Sequence, residues 1–188
     1  QKLLTFSGGG MFHDGLNINP IRATFAYYPH DVWVYLMMCS WSRIGQDEHL
    51  APRAGYVGDE LGSAVIAGRL VASIMQLCFL LEKQYAPYAK WFGTAFADLT
   101  CGAELTPILR RVQLGETYRD REAALAEAYT ILNQMHNALN LTAPITPAVN
   151  QFHGRPFQVS DGWRYSEALA KTLTDEAVVA IANRMQIG

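Results

Sequence analysis

The sequence predicts a mainly α-helical bundle of roughly six to eight helices, with a short β segment at the N-terminus. Three observations carry that expectation. Residues 120–140, "DREAALAEAYTILNQMHNALN", place Ala124, Leu125, Ala128, Ile131, Leu132, Met135 and Leu139 on one face of a helix. Residues 57–84 are apolar over a length that suits a long helix and no strand. Prolines stand where segments would begin, at Pro20, Pro29, Pro87 and Pro107, and proline fits a first helical turn because its missing N–H is not needed there.

Taken in order, residues 2–13, "KLLTFSGGGMFH", read as two short strands around Gly8-Gly9-Gly10. Two strands make no stable sheet alone, so the remainder of that sheet would lie upstream. "PIRATFAYY" suits a short helix from Pro20. "PHDVWVYLMMCSWSRIGQDEH" suits a longer one, with Asp31 favourable in its first turn. The third helix, about Val57 to Gln84, is the longest. "PYAKWFGTAFADL" and "LTPILRRVQL" follow, the latter with Thr106 as N-cap and Pro107 at its first position. After the amphipathic segment, "LTAPITPAVNQ" is a connector and "RPFQVS" is extended. Two short helices close the chain, after Asp161 and after Thr174, whose hydroxyl would cap the last. No repeat and no low-complexity tract interrupts this series.

Composition bounds the function. The chain has 188 residues, half of them hydrophobic, which is enough for one ordinary core. A formal net charge of −2 gives no strong nucleic-acid signal. Cys39, Cys78 and Cys101 are far apart and form no zinc spacing, so no metal site is expected, and reduced thiols point to a cytoplasmic protein. The start at Gln1 suggests a fragment or a processed chain. Residues 64–81 imitate a membrane span, but Arg69 inside it costs roughly 2.5–3.5 kcal/mol on insertion scales, so a buried bundle helix is expected and no membrane. His13, His30, His49, His136 and His153 show no ligand or catalytic spacing.

Three groups of residues could carry chemistry. Arg69, Ser73, Gln76 and Lys83 fall along one stripe of the apolar third helix, which Asp59 and Ser63 continue. The stripe is either a narrow solvent-facing strip or a polar groove against a neighbour. On the second helix Asp31, Trp33, Trp41 and Arg43 are either cap, core and surface residues or part of a binding face. In "YAPYAKWFGTAF", Lys90 stands among Tyr85, Tyr88 and Trp91. It could pass the rings to reach water or donate to phosphate oxygens.

The stretches "YYPHDVWVYLMMCSWSRIGQDEH", "GYVGDELGS" and "LCFLLEKQYAPYAKWFGTAF" resemble the bacterial domain-of-unknown-function 4037 family. The resemblance is best from Tyr27 to Phe96 and extends to "GGGMFHDG" and, more weakly, to "GRPFQVSDGWRYSEAL". It implies a helical domain C-terminal to a polymerase-β-type nucleotidyltransferase domain. Residues 1–19 would be the tail of that sheet domain and 20–188 the helical domain, with a core at 28–140 and an extension at 141–188. The resemblance also implies ATP or another nucleoside triphosphate with magnesium, bound in the full-length protein only. Lys90, Tyr85 and Tyr88 would contact the nucleotide. Asp31, Trp33, Arg43, Arg69 and Gln76 would face an unknown small-molecule or macromolecular acceptor. Asp59 and Glu60 are further candidates, as a general base. The paired-carboxylate hairpin that binds magnesium in such enzymes has no counterpart here, so the chain alone is not expected to catalyse transfer. The alternative is a non-catalytic helical module acting in regulation or protein interaction.

Overall fold

A computed structural model describes residues 2–185. Residues 1 and 186–188, the outer ends of the two anticipated domains, lie outside the described residues. Ten α-helices run along the described chain: α1 Lys2–Ser7, α2 Asn19–Thr24, α3 His30–Asp47, α4 Leu50–Tyr56, α5 Glu60–Leu81, α6 Phe92–Ala97, α7 Gly102–Leu114, α8 Tyr118–Ala138, α9 Gly162–Ala170 and α10 Glu176–Met185. Short 3-10 turns cover Ala89–Trp91 and Phe152–Gly154. Two strands, β1 Asn150–Gln151 and β2 Gln158–Val159, pair antiparallel, with Asn150 opposite Val159.

The chain is mainly helical, but the expected fold is wrong in two respects. There are more helices than six to eight, partly because residues 50–56, left unassigned between the second and third expected helices, form α4. The β segment lies at 150–159, and residues 2–7 are helical. The reason at the N-terminus is local. Ser7 Oγ donates to the Leu3 carbonyl at 2.8 Å, and Gly8 N donates to Leu4 O at 2.8 Å. Arg22 of α2 then donates to the carbonyls of Phe6, Ser7, Gly8 and Gly9, filling the acceptors that the end of α1 leaves open. The pairing that would have made these residues a strand has no partner among the described residues.

Two helix starts also differ from expectation. Helix α7 begins before Pro107, which lies inside it, and Thr106 is not its cap. Glu82, at the end of α5, instead anchors the turn that leads into α7: its carboxylate accepts Thr100 N and Cys101 N, each at 2.8 Å. At α10 the Thr174 hydroxyl turns instead to Asp31, and Asp175 Oδ1 accepts Ala177 N at 2.9 Å and Val178 N at 3.1 Å. The start of α8 carries a reciprocal pair that the sequence reading passed over, Thr117 with Asp120.

The core forms where α5 packs against α3, α4, α7 and α8, and α9 packs against α3. Val34, Met37, Trp41 and Ile44 of α3 are fully buried, as are Leu70, Ile74 and Leu77 of α5, Ala128, Tyr129 and Leu132 of α8, and Tyr165 and Leu169 of α9. Helix α5 is long and apolar enough to cross a membrane by length and composition, with 56% of its apolar window buried. Its N-terminal end is held by a buried cation. Arg121 of α8 pairs with the Glu60 carboxylate and donates to Ser63 Oγ at 3.1 and 3.2 Å and to Gly115 O at 2.8 Å. Deep burial of a guanidinium is tolerated when its donors are used in this way.

Candidate functional site

Three surfaces bring polar or aromatic groups together. The first is a groove of about 360 Å³ between α3 and α5, lined by Ser40 and Arg43 of α3 and by Arg69, Ala72, Ser73 and Gln76 of α5. The spacing of both helices turns these residues toward one another. Arg69 donates through Nε to Asp47 Oδ2 at 3.1 Å and makes a second bond from its other arm to Oδ1. Asp47 is nearly buried, so Arg69 is held in place while half of its side chain stays in solvent. Arg43 is exposed, and no partner for it is found among the described residues. Three residues singled out for an acceptor, Arg43, Arg69 and Gln76, therefore do share a groove, with Ser73 below them.

The other two acceptor candidates lie elsewhere. Asp31 sits at the start of α3, and its Oδ2 accepts Thr174 N and Asp175 N, both at 2.6 Å, while Oδ1 meets His30 Nδ1 at 2.9 Å. The His30 ring, then the two backbone N–H groups, hold this carboxyl well below the usual carboxylate range. Its geometry is that of a clamp between α3 and α10. Trp33 is buried; its indole N–H donates to Leu80 O at 2.8 Å, and Lys83 Nζ stands 4.2 Å from the ring centroid.

The second surface surrounds the turn at 89–91. Here the aromatic–lysine cluster divides. Tyr85 is buried against Tyr27 and Tyr28, with centroids 5.1 and 4.8 Å away, and its hydroxyl donates to Phe25 O at 3.2 Å. Burial, then the neighbouring Tyr28, raises its pKa. Tyr88 and Trp91 are exposed, and the exposed Lys90 ammonium lies 5.1 Å from the Trp91 centroid. Lys90 does not line the groove of Arg43, Arg69 and Gln76. Asp59 and Glu60 are apart from both: Asp59 Oδ1 caps α5 by accepting Gly62 N at 2.7 Å, and Glu60 is the partner of Arg121.

The third surface is a cavity of about 700 Å³ that sequence reasoning missed. The end of α3 and the segment after it supply Gly45, Glu48 and His49. The connector, the β1–β2 hairpin and the start of α9 supply the rest, including Gln151, His153, Asp161 and Trp163. Glu48 fixes this arrangement. Its Oε2 accepts Ser160 N at 2.6 Å and Ser160 Oγ at 2.8 Å, and Oε1 accepts Gly162 N at 2.9 Å. Burial pushes the Glu48 pKa up, while these three bonds oppose the rise. Two non-glycine residues of the lining are left-handed, His153 with φ 47° and Asp161 with φ 56°. Such conformations cost of order 1–3 kcal/mol each and tend to occur at functional sites. The available signal was "GRPFQVSDGWRYSEAL", which holds much of one wall.

Among the described residues no group of three or more His, Cys, Asp or Glu side chains could hold a metal ion. The three cysteines are free thiols.

Comparison with known proteins gives one result. The family model described as "Domain of unknown function (DUF4037)" matches residues 1–92. The match runs from α1 to the first residue of α6, and it names neither an activity nor a neighbouring domain. It contains the Arg43–Arg69 groove and the Lys90 turn, but only Gly45, Glu48 and His49 of the cavity used above. Curated proteins and solved structures yielded no match.

Proposed function

We propose that the chain is a non-catalytic helical module that docks a folded protein domain through its N-terminal arm, residues 2–25. One observation carries this reading. Helices α1 and α2 bury no residue, while Leu4, Phe6, Phe12, Leu16, Ile21 and Phe25 are all exposed. Phe6 and Phe25 meet edge to face with centroids 5.7 Å apart, and exposed apolar surface, where it gathers, marks interaction sites. The arm's one guanidinium, Arg22, is committed to the carbonyls at the end of α1, so the surface is mainly apolar, with Lys2 its exposed cation. An apolar protein face suits it, and a phosphate backbone does not. The occupant we infer is a globular domain preceding this segment in the same polypeptide, as the nucleotidyltransferase-like arrangement implies.

Hydrogen exchange on the complete gene product and on the 188-residue chain tests the proposal. Amides of residues 2–25 are expected to exchange at least tenfold more slowly in the complete product. Equal rates, or a reading frame that opens at residue 1, would overturn it.

A second reading is favoured by the paired guanidinium groups of the α3–α5 groove. We infer from them the helical half of a nucleotidyltransferase, holding the phosphates of ATP and magnesium supplied in the complete protein. Lys90 and Tyr88 would meet the nucleotide from the separate turn at 89–91. Charge-assisted bonds to phosphate are worth roughly 1.5–3 kcal/mol. Arg43→Ala should therefore weaken ATP binding by about ten- to a hundredfold in calorimetry of the complete protein. Lys90→Ala should weaken it similarly while leaving folding unchanged. Unaltered affinity in both variants would end this reading.

A further inference from the structure

The α3–α5 groove and the cavity beside α9 differ in charge, and the difference points to different ligands. Ring faces are abundant at the cavity. Trp163 is 45% exposed and lies against the backbone of Gly45, where an added methyl group would meet its ring at 3.0 Å. His49 meets Phe152 with centroids 4.4 Å apart and planes tilted by 30°, and Phe152 meets His153 edge-on at 4.6 Å. Unused hydrogen-bonding groups surround these rings. His49 Nδ1 is enclosed without a partner, and the side-chain amides of Asn150 and Gln151 have none among the described residues.

The lining contains one permanent cation, Arg164, whose terminal nitrogens are engaged while its buried Nε has no hydrogen-bond partner among the described residues. The terminal nitrogens reach Pro147 O and Ser160 O at 2.8 Å and Thr146 O at 3.3 Å, and Nε lies 3.4 Å from Asp161 Oδ2. Glu48 and Asp161 are the lining carboxyl groups. Burial, then the nearby Arg53 and His153, lowers the His49 pKa, which favours a neutral imidazole. A phosphate would find two carboxyl groups in the lining and no guanidinium with an unengaged terminal nitrogen there; the exposed Arg53 lies outside the lining. A planar ring with polar edges would find stacking faces and in-plane partners.

We propose that this cavity binds a phosphate-free, nucleoside-sized heteroaromatic ligand, its ring against Trp163 and its polar edge toward His49, Asn150 and Gln151. The volume of about 700 Å³ lies within the range of small-molecule sites. The anchoring of the 160–162 turn by Glu48 makes the site preformed. This site is separate from the arm and from the α3–α5 groove, so it stands or falls independently of the functional readings above.

Adenosine, cytidine and guanosine are suitable probes, with ATP and inorganic phosphate as counter-probes. Nitrogen–proton correlation spectra of the 188-residue chain should show saturable shifts at the Trp163 indole and the Gly162 amide with at least one nucleoside, with affinity on the order of 0.1 mM. The corresponding triphosphate should bind at least tenfold more weakly, and phosphate should move neither signal. Gln151→Ala, on an exposed residue, should lower nucleoside affinity severalfold without altering the rest of the spectrum. Trp163→Phe should retain part of the binding, because a smaller ring face remains. No saturable shift with any of the three nucleosides, or a triphosphate that binds as well as its nucleoside, would overturn the proposal. So would Gln151→Ala and Trp163→Phe variants that both bind as tightly as the parent chain.

Discussion

Between α3 and α9 two helices approach so closely that a single methyl group has no room. A Cβ on Gly162 would strike the Trp41 carbonyl and lie 2.8 Å from Gly45 N. Between α1 and α2 the opposite holds: a Cβ on Gly10, in the loop that joins them, would meet nothing within 4 Å. The α3–α9 seam adds a stacked pair, Trp41 on Tyr165 at 3.8 Å, and a Ser42–Ser166 bond of 2.7 Å. The arm is held mainly by one arginine. In the seam, long-range packing fixes each residue. In the arm, hydrogen bonds from Arg22 fix the backbone and leave the apolar side chains exposed.

The largest expected effect tests the seam. Trp41 is fully buried and touches both Tyr165 and His136. Trp41→Ala should cost about 4 kcal/mol, read as a shift in the denaturant midpoint. A loss comparable to that of a surface substitution would show that the seam is not a unit of stability. Gly162→Ala comes next, at about 3 kcal/mol, because the obstructing atoms are backbone and cannot rotate away. Gly10→Ala is its control and should lie within about 0.5 kcal/mol of the parent.

His136 sharpens the comparison through pH. It is buried beside Trp41 and Tyr165, with Thr142 Oγ1 3.2 Å from Nε2 and Nδ1 without a partner. Burial lowers its pKa from 6.5 to about 4. The unfolded chain then binds the proton more readily than the folded one. The stability owed to a neutral His136 is thus complete above about pH 6.5 and is lost as pH falls toward about 4. The loss should be on the order of 3 kcal/mol, measured by denaturation at each pH. His136→Leu should flatten that part of the profile; an unchanged profile would assign the dependence to other groups.

Legibility in the sequence follows the same division. The apolar period of α8 and the length of α5 were readable because each helix buries a face or most of its surface. Arg69 and Gln76 could be placed on one stripe because helical spacing alone aligns them, whereas nothing in the sequence set Arg43 opposite them. "KLLTFSGGG" was misread because six residues are too few to separate a strand from a helix, and the deciding group, Arg22, is distant in sequence. The start of α7 was misplaced for the same kind of reason: the turn before it is anchored by Glu82, from the end of α5. The cavity was invisible because His49 and His153 are uninformative singly and meet only through the hairpin's return to α3.

The smallest effect on stability should carry the largest effect on docking. Phe12 and Leu16 are almost fully exposed, so they contribute little to the isolated fold. Replacing both, Phe12→Ser with Leu16→Ser, should change the stability of the 188-residue chain by no more than about 0.5 kcal/mol. If the arm docks a preceding domain, the same pair removes apolar area from that interface, at about 25 cal/mol per Å² buried. Hydrogen exchange of residues 2–25 in the complete gene product should then rise to the rate of the isolated chain, with α3–α9 amides unaffected. A large loss of stability in the isolated chain would mean that the arm belongs to the core after all. Stability and exchange both unchanged would mean that these two side chains face solvent in the complete protein too, and the docking surface would have to be sought elsewhere.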